Sequence, residues 1–221
     1  MRHFDEKSTA NVQEIAQVPQ AVWMNGATFI PGTPKLVIAE SNLGQLICCD
    51  VDTGVVSIWL EDALLAKITD RPPWPAANGV QYFREHIYVT NSDRALLLSA
   101  KVEKDDGDYV KGSLKVLATD LCGDDLAFDA EGDAYIATNP QNTLLKFPAV
   151  GLGEQESGRL IIAGTQTQPE AAGITAVAFG RSVNDSKALY AVTTGGHIVP
   201  LGDGPGLARV LRLDVGVKGE A

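Results

Sequence analysis

Amide, hydroxyl and carboxylate side chains recur at matching places along this 221-residue chain. Asn25, Asn78 and the pair Asp124-Asp125 each open a short apolar run. Glu40-Ser41-Asn42, Thr90-Asn91-Ser92-Asp93, Thr138-Asn139 and Thr193-Thr194 each close the run that follows. Amides and hydroxyls donate and accept hydrogen bonds whereas carboxylates only accept, so brought together these groups form a polar surface suited to a small molecule. Left apart they are turn formers, because Asn, Asp and Ser bond their own backbone. The elements that carry them decide between the two.

Other chemistry is sparse. His3 lies in the N-terminal tail, His86 in a turn, and His197 after Gly195-Gly196, with no repeated serine or cysteine partner that would suggest a triad. Cys48, Cys49 and Cys122 form neither a paired framework nor a C-x-x-C spacing, and free cysteines in apolar runs read as buried thiols. Acidic residues outnumber basic ones by 28 to 18, and the net charge of -10 repels phosphate backbones and anionic membrane surfaces. The expected partner is a small molecule, with no nucleic acid and no membrane. No apolar stretch has signal-peptide length or approaches the roughly 20 residues of a membrane span, which leads to the expectation of a cytoplasmic protein.

The chain is long enough to bury a core without disulfides, and its composition does not shift midway, so one domain is expected. The 22 glycines and 11 prolines punctuate many short strands. Four segments align with one another. The first comprises Asn25–Phe29, Leu36–Asn42 and Gln45–Asp50; the second, Asn78–Phe83, Ile87–Ser92 and Ala95–Leu98. The third comprises Asp124–Phe128, Ala134–Asn139 and Thr143–Phe147; the fourth, Gly173–Phe179, Ala188–Thr193 and a strand at Ile198 and Val199. Tyr88, Tyr135 and Tyr190 mark the second strand of the last three, at separations near the roughly 40 to 50 residues of a propeller blade. Further runs such as Val55–Leu60 and Leu114–Ala118 supply a fourth strand, and four strands make a blade.

The expected fold class is therefore all-β, a β-propeller of about four blades over residues 25–221, preceded by a partly ordered N-terminal segment, residues 1–24. A β-sandwich also has short, regularly spaced strands, but nothing in it demands that the whole strand-turn-strand pattern repeat. Helix is expected only over Glu61–Ile68 and before Asn25, where Ser8 or Thr9 offers a cap. Arg71-Pro72-Pro73-Trp74-Pro75 reads as a stiff loop. In an up-and-down blade the turn before the first strand and the loop after the second lie on one face. The polar residues above therefore crowd one end of the channel, while Pro31-Gly32-Thr33, Arg84-Glu85-His86 and Ala130-Glu131-Gly132 lie at the other.

The run Gly123–Thr138, the Asn78-Gly79 pair, and Ala178-Phe179-Gly180 ahead of Leu189–Thr193 resemble the senescence-marker-protein, gluconolactonase and luciferin-regenerating-enzyme family over roughly residues 25 to 215. The resemblance implies a six-bladed propeller with a divalent cation, calcium or zinc, near the top of the channel in the hydrolytic members. Matched by motif, Asn25, Asn78 and Asp124 take three of the cation's four ligand positions. The fourth, a glutamate, belongs to an N-terminal blade that the chain is expected to lack, and Asp125 or Glu40 would have to replace it. A hard cation wants several oxygens and usually more than one carboxylate, so no cofactor is favoured. Open blade edges would also favour self-association.

Ala137–Thr143 resembles the fungal natural-product branch, which implies an enzyme of secondary metabolism, favoured as a metal-free hetero-Diels-Alder cyclase. There a shaped channel would hold two reactants together, Asn78 and Asn91 would polarise the heterodiene, and Asp124 would be a further catalytic candidate. The resemblance equally admits a metal-dependent lactonase with Asp124 as ligand or base, and a non-catalytic binding propeller.

Overall fold

The computed structural model describes residues 12–69, 74–152 and 157–220. The proposed Ser8 or Thr9 cap and most of the Arg71–Pro75 loop lie outside them. The chain forms four antiparallel sheets arranged as a β-propeller. Blade 1 is β1 (Met24–Phe29), β2 (Lys35–Glu40), β3 (Gln45–Asp50) and β4 (Val56–Glu61), hydrogen-bonded in that order. Blade 2 is β5 (Ala77–Phe83), β6 (His86–Asn91), β7 (Leu96–Lys101) and β8 (Lys115–Thr119). Blade 3 is β9 (Gly123–Phe128), β10 (Ala134–Thr138), β11 (Thr143–Phe147) and β12 (Leu160–Gly164). Blade 4 has three strands, β13 (Ile174–Phe179), β14 (Ala188–Thr193) and β15 (Arg209–Asp214).

Two expectations are corrected. The third strand of blade 4 is Arg209–Asp214 and not Ile198-Val199. Arg209–Asp214 alternates half-buried and exposed residues along its length, as a strand with one packed face must, whereas Ile198 and Val199 sit in a loop rich in Gly and Pro. The helix over Glu61–Ile68 is absent: Glu61 ends β4 and the rest is turns. Leu65 and Ala66 bond back three residues, to Asp62 O and Ala63 O. The Leu64 and Ala66 carbonyls, which a helix would use internally, instead accept from Asn91 and Arg94 of blade 2. Tertiary hydrogen bonds have overridden a helical apolar pattern.

Three hydrophobic cores join the blades. Val37, Leu46 and Trp59 of blade 1 pack on Val80, Val89 and Leu98 of blade 2. Tyr88 and Leu97 of blade 2 pack on Phe128, Ile136 and Phe147 of blade 3, and Tyr135 and Leu144 of blade 3 pack on Val177 and Leu189 of blade 4. Among the described residues no such core links blade 4 to blade 1. By alternation Phe29 and Ile58 point away from blade 2 and are 54% and 51% exposed, and Val192 and Val210 point away from blade 3. At the far end of the channel Lys218 and Glu220 pair with Ala130 and Phe128, tying the C-terminal segment of the chain back to blade 3.

Candidate functional site

Each of the first three blades breaks its inner pairing at the same place. The β1–β2 register shifts between Met24 and Ala27, the β5–β6 register between Ala77 and Val80, and the β9–β10 register between Gly123 and Leu126. The residues skipped are Asn25-Gly26, Asn78-Gly79 and Asp124-Asp125. A bulge inserts a residue, bends the strand and re-aims its side chain, and here it does so at the three residues that the sequence singles out.

Glycine brings these bulges together. A Cβ on Gly26 would stand 2.6 Å from Asn78 O, and one on Gly79 would stand 2.5 Å from Asp124 O. Neither position accepts a side chain without moving backbone, so each Asn-Gly pair both supplies a site residue and lets the next blade approach. Serines reinforce the joints. Ser41 Oγ donates to Ala77 O at 2.7 Å and Ser92 Oγ to Gly123 O at 2.6 Å, each crossing from one blade to the next.

The three positions converge on a cleft of about 250 Å³. Asn25, Asn78, Ser92, Asp124 and Asn139 line its polar side, and Trp23, Trp74, Pro75 and Ile198 its apolar side. Asn78 Nδ2 donates to Asp124 Oδ1 at 3.0 Å and to Ser92 Oγ at 3.0 Å. Asn139 Nδ2 donates to Asp124 Oδ2 at 3.4 Å, and Asn25 Nδ2 lies 3.5 Å from Ser41 Oγ. Burial pushes the Asp124 carboxyl up to about 6; the Asn139 and Asn78 hydrogen bonds oppose the rise and the neighbouring Asp125 adds to it. A carboxyl that titrates near neutrality can take and return a proton.

The remaining candidates lie elsewhere. Asn91 is fully buried and does not line the cleft: its amide donates to Leu64 O at 3.0 Å and its Oδ1 accepts from Arg94 N. Glu40 is also fully buried. Burial raises its pKa, but four backbone N–H donors, from Trp23, Leu43, Asn42 and Val22, outweigh that and hold it below the usual range. It caps the start of blade 1 and has little left for a cation. Asp125 lines the channel below the cleft, accepts from Val177 N at 3.3 Å, and is raised by burial. The residues that sequence reasoning missed are Trp23, Trp74, Pro75 and Ile198; no repeat signal marks them, because each sits in a loop outside the blade pattern.

The polar side supplies only oxygen ligands to a cation, which suits calcium in kind. Among the described residues Asp124 is its one carboxylate, and no three His, Cys, Asp or Glu side chains cluster as metal ligands. That set is too poor in charge to hold a divalent cation tightly.

Radial sheets of four strands, three in blade 4, with a polar cleft where the inner strands begin, define a β-propeller with a cleft at one end. No protein-family model matches the chain, and no curated protein matches it. Among solved structures it is similar to luciferin-regenerating enzyme, with a TM-score of 0.54 at 16% identity over 90% of this chain and 80% of that one. It is similar to regucalcin, a calcium-binding protein from Agrobacterium tumefaciens strain C58, with a TM-score of 0.60 at 18% identity over 89% of this chain and 62% of that one. A glucose dehydrogenase shares the fold at a TM-score of 0.52 and 18% identity, over 78% of this chain and 58% of its own. At such identities the likeness is one of fold.

Proposed function

We propose that the chain is a small-molecule enzyme of hydrolytic type that opens a cyclic ester, with Asp124 as the proton-transferring group. The observation that supports this most is the Asp124 carboxyl itself, raised to about 6, held from two sides by Asn78 and Asn139, and bordering a cleft with apolar walls. Asp124 takes a proton from water as the water oxygen adds to the ring carbonyl carbon. The tetrahedral intermediate then collapses with cleavage of the ring C–O bond, and the proton passes to the departing alkoxide, giving a hydroxy acid. Asn25 and Asn139 each commit one amide hydrogen, to Ser41 and Asp124, which leaves the second free to stabilise the oxyanion.

A metal-free cyclisation such as a hetero-Diels-Alder reaction, with its place in fungal secondary metabolism, is the second reading. The apolar walls favour it, since such a reaction needs chiefly a shaped enclosure. It loses its two proposed donors: both amide hydrogens of Asn78 are spent on Ser92 and Asp124, and Asn91 faces blade 1. The test is hydrolysis of a panel of five- and six-membered lactones followed by proton release. Turnover that Asp124→Asn abolishes, with the fold intact by circular dichroism, supports the hydrolytic reading. No turnover of any lactone by the wild-type chain overturns it.

A further inference from the structure

The hydrolytic reading uses the Asn78 amide hydrogens to hold Asp124 but leaves its carbonyl oxygen without a role. Asn78 is 4% exposed, and its orientation follows from its neighbours. Ser92 Oγ already donates to Gly123 O, so it must accept from Asn78, and the Asp124 carboxylate accepts as well. Both amide hydrogens are therefore spent, and the Asn78 carbonyl oxygen is the atom left to the cleft. Among the described residues nothing donates to it, and since no fully buried side-chain polar atom there lacks a partner, this oxygen is the one an incoming donor meets. A ligand that brings a donor replaces water at this oxygen with a direct hydrogen bond.

The surroundings specify what kind of donor. Beside the Asn78 oxygen the cleft presents the acceptor-only carboxylate of Asp124, and Trp23 and Trp74 line the same 250 Å³ space. Indole faces attract cations, and the chain's net charge of -10 draws cations toward it. A free anion is repelled by the Asp124 carboxylate, and a neutral alcohol satisfies one acceptor but gains no charge attraction from the rings or the carboxylate. We propose that the ligand of this cleft carries an ammonium group, an alkyl- or arylammonium whose N–H donor reaches Asn78 Oδ1 within the field of the Asp124 carboxylate, which stays free to act on water, while its carbon frame lies against Trp23 and Trp74. The inference rests on the cleft being the site of turnover, and it names the substrate class as cationic.

The experiment is a fluorescence titration of the full chain at about neutral pH with benzylammonium chloride, benzyl alcohol and calcium chloride as separate probes. Trp59, the third tryptophan, is buried with its indole N–H on Gly107 O, so quenching reports Trp23 and Trp74. The expected result is binding of benzylammonium roughly tenfold or more tighter than benzyl alcohol. Asp124→Asn should remove that preference with thermal stability retained, and Trp23→Leu, at a partly exposed position, should weaken it. Equal affinity for the two organic probes, binding of calcium but not of benzylammonium, or a preference untouched by Asp124→Asn overturns the proposal. The hydrolytic reading fails separately: ammonium selectivity without turnover of any lactone, amine-bearing ones included, sinks that reading alone, and turnover of neutral lactones without ammonium selectivity sinks this proposal alone.

Discussion

Asn78 and Asp124 meet at 3.0 Å across the joint between blades 2 and 3, so a residue of one blade orients the carboxylate of the next. The contact depends on two bulges and one glycine. It is also where burial pushes a carboxyl up to about 6.

The raised Asp124 carboxyl makes a signed prediction. Its folded pKa lies above the value near 3.9 of an unfolded aspartate, so the native state binds more protons in between. Asp124's contribution to stability is complete below about pH 4 and declines as pH rises to about 6, by an amount on the order of 3 kcal/mol at most. Asp124→Asn should flatten that part of the stability profile, measured by urea denaturation at several pH values. Lactone turnover by the wild-type chain should rise with pH through a midpoint near 6. An unchanged stability slope in the variant would contradict the assignment.

Gly79→Ala would place a Cβ 2.5 Å from Asp124 O, a backbone atom that cannot rotate away. The expected loss is about 1–3 kcal/mol of stability, the usual cost of overpacking, together with reduced turnover as the bulges separate. Gly204→Ala, where nothing lies within 4 Å, should be neutral. Thermal melts of the two variants side by side decide the matter.

Asn91→Ala and Asn78→Ala should behave differently although the two residues look alike in sequence. Asn91 anchors the turn after β4 chiefly through the Leu64 carbonyl, Ala66 O keeping its donor from Arg94, so its loss should cost about 1–3 kcal/mol by leaving the Leu64 carbonyl unpaired while kcat per folded molecule holds. Asn78→Ala removes an orienting donor from Asp124 and should lower kcat. A fall in kcat with Asn91→Ala in fully folded protein would return that residue to the site.

Chelation should change little. With Asp124 as the one carboxylate of the cleft, EDTA should shift Tm by no more than a few degrees, because stabilisation by a ligand scales with how far its concentration exceeds its Kd. A fall in Tm of many degrees, reversed by calcium or zinc, would show that the cleft holds a cation more tightly than its charge suggests.

Much of this molecule is legible along the chain. Strand period, the Asn-Gly pairs and the tyrosines at matched positions are local signals, and they located every inner strand and placed Asn25, Asn78 and Asp124 at one end of the channel. The Asn-Gly pairs were visible because the glycine answers a steric demand that recurs at the first two joints between blades. The same local signals misplaced the third strand of blade 4 and suggested a helix over Glu61–Ile68, where carbonyls are captured by Asn91 and Arg94 from the neighbouring blade. Only the tertiary structure decided what each polar side chain spends its hydrogen bonds on. Asn78 and Asn91 have identical chemistry, yet one borders the cleft and the other pins a turn. Glu40, a plausible cation ligand by type, is consumed by four backbone donors. Those outcomes depend on which groups a neighbouring blade or a loop brings within 3.5 Å, and residue type along the chain carries no record of that distance.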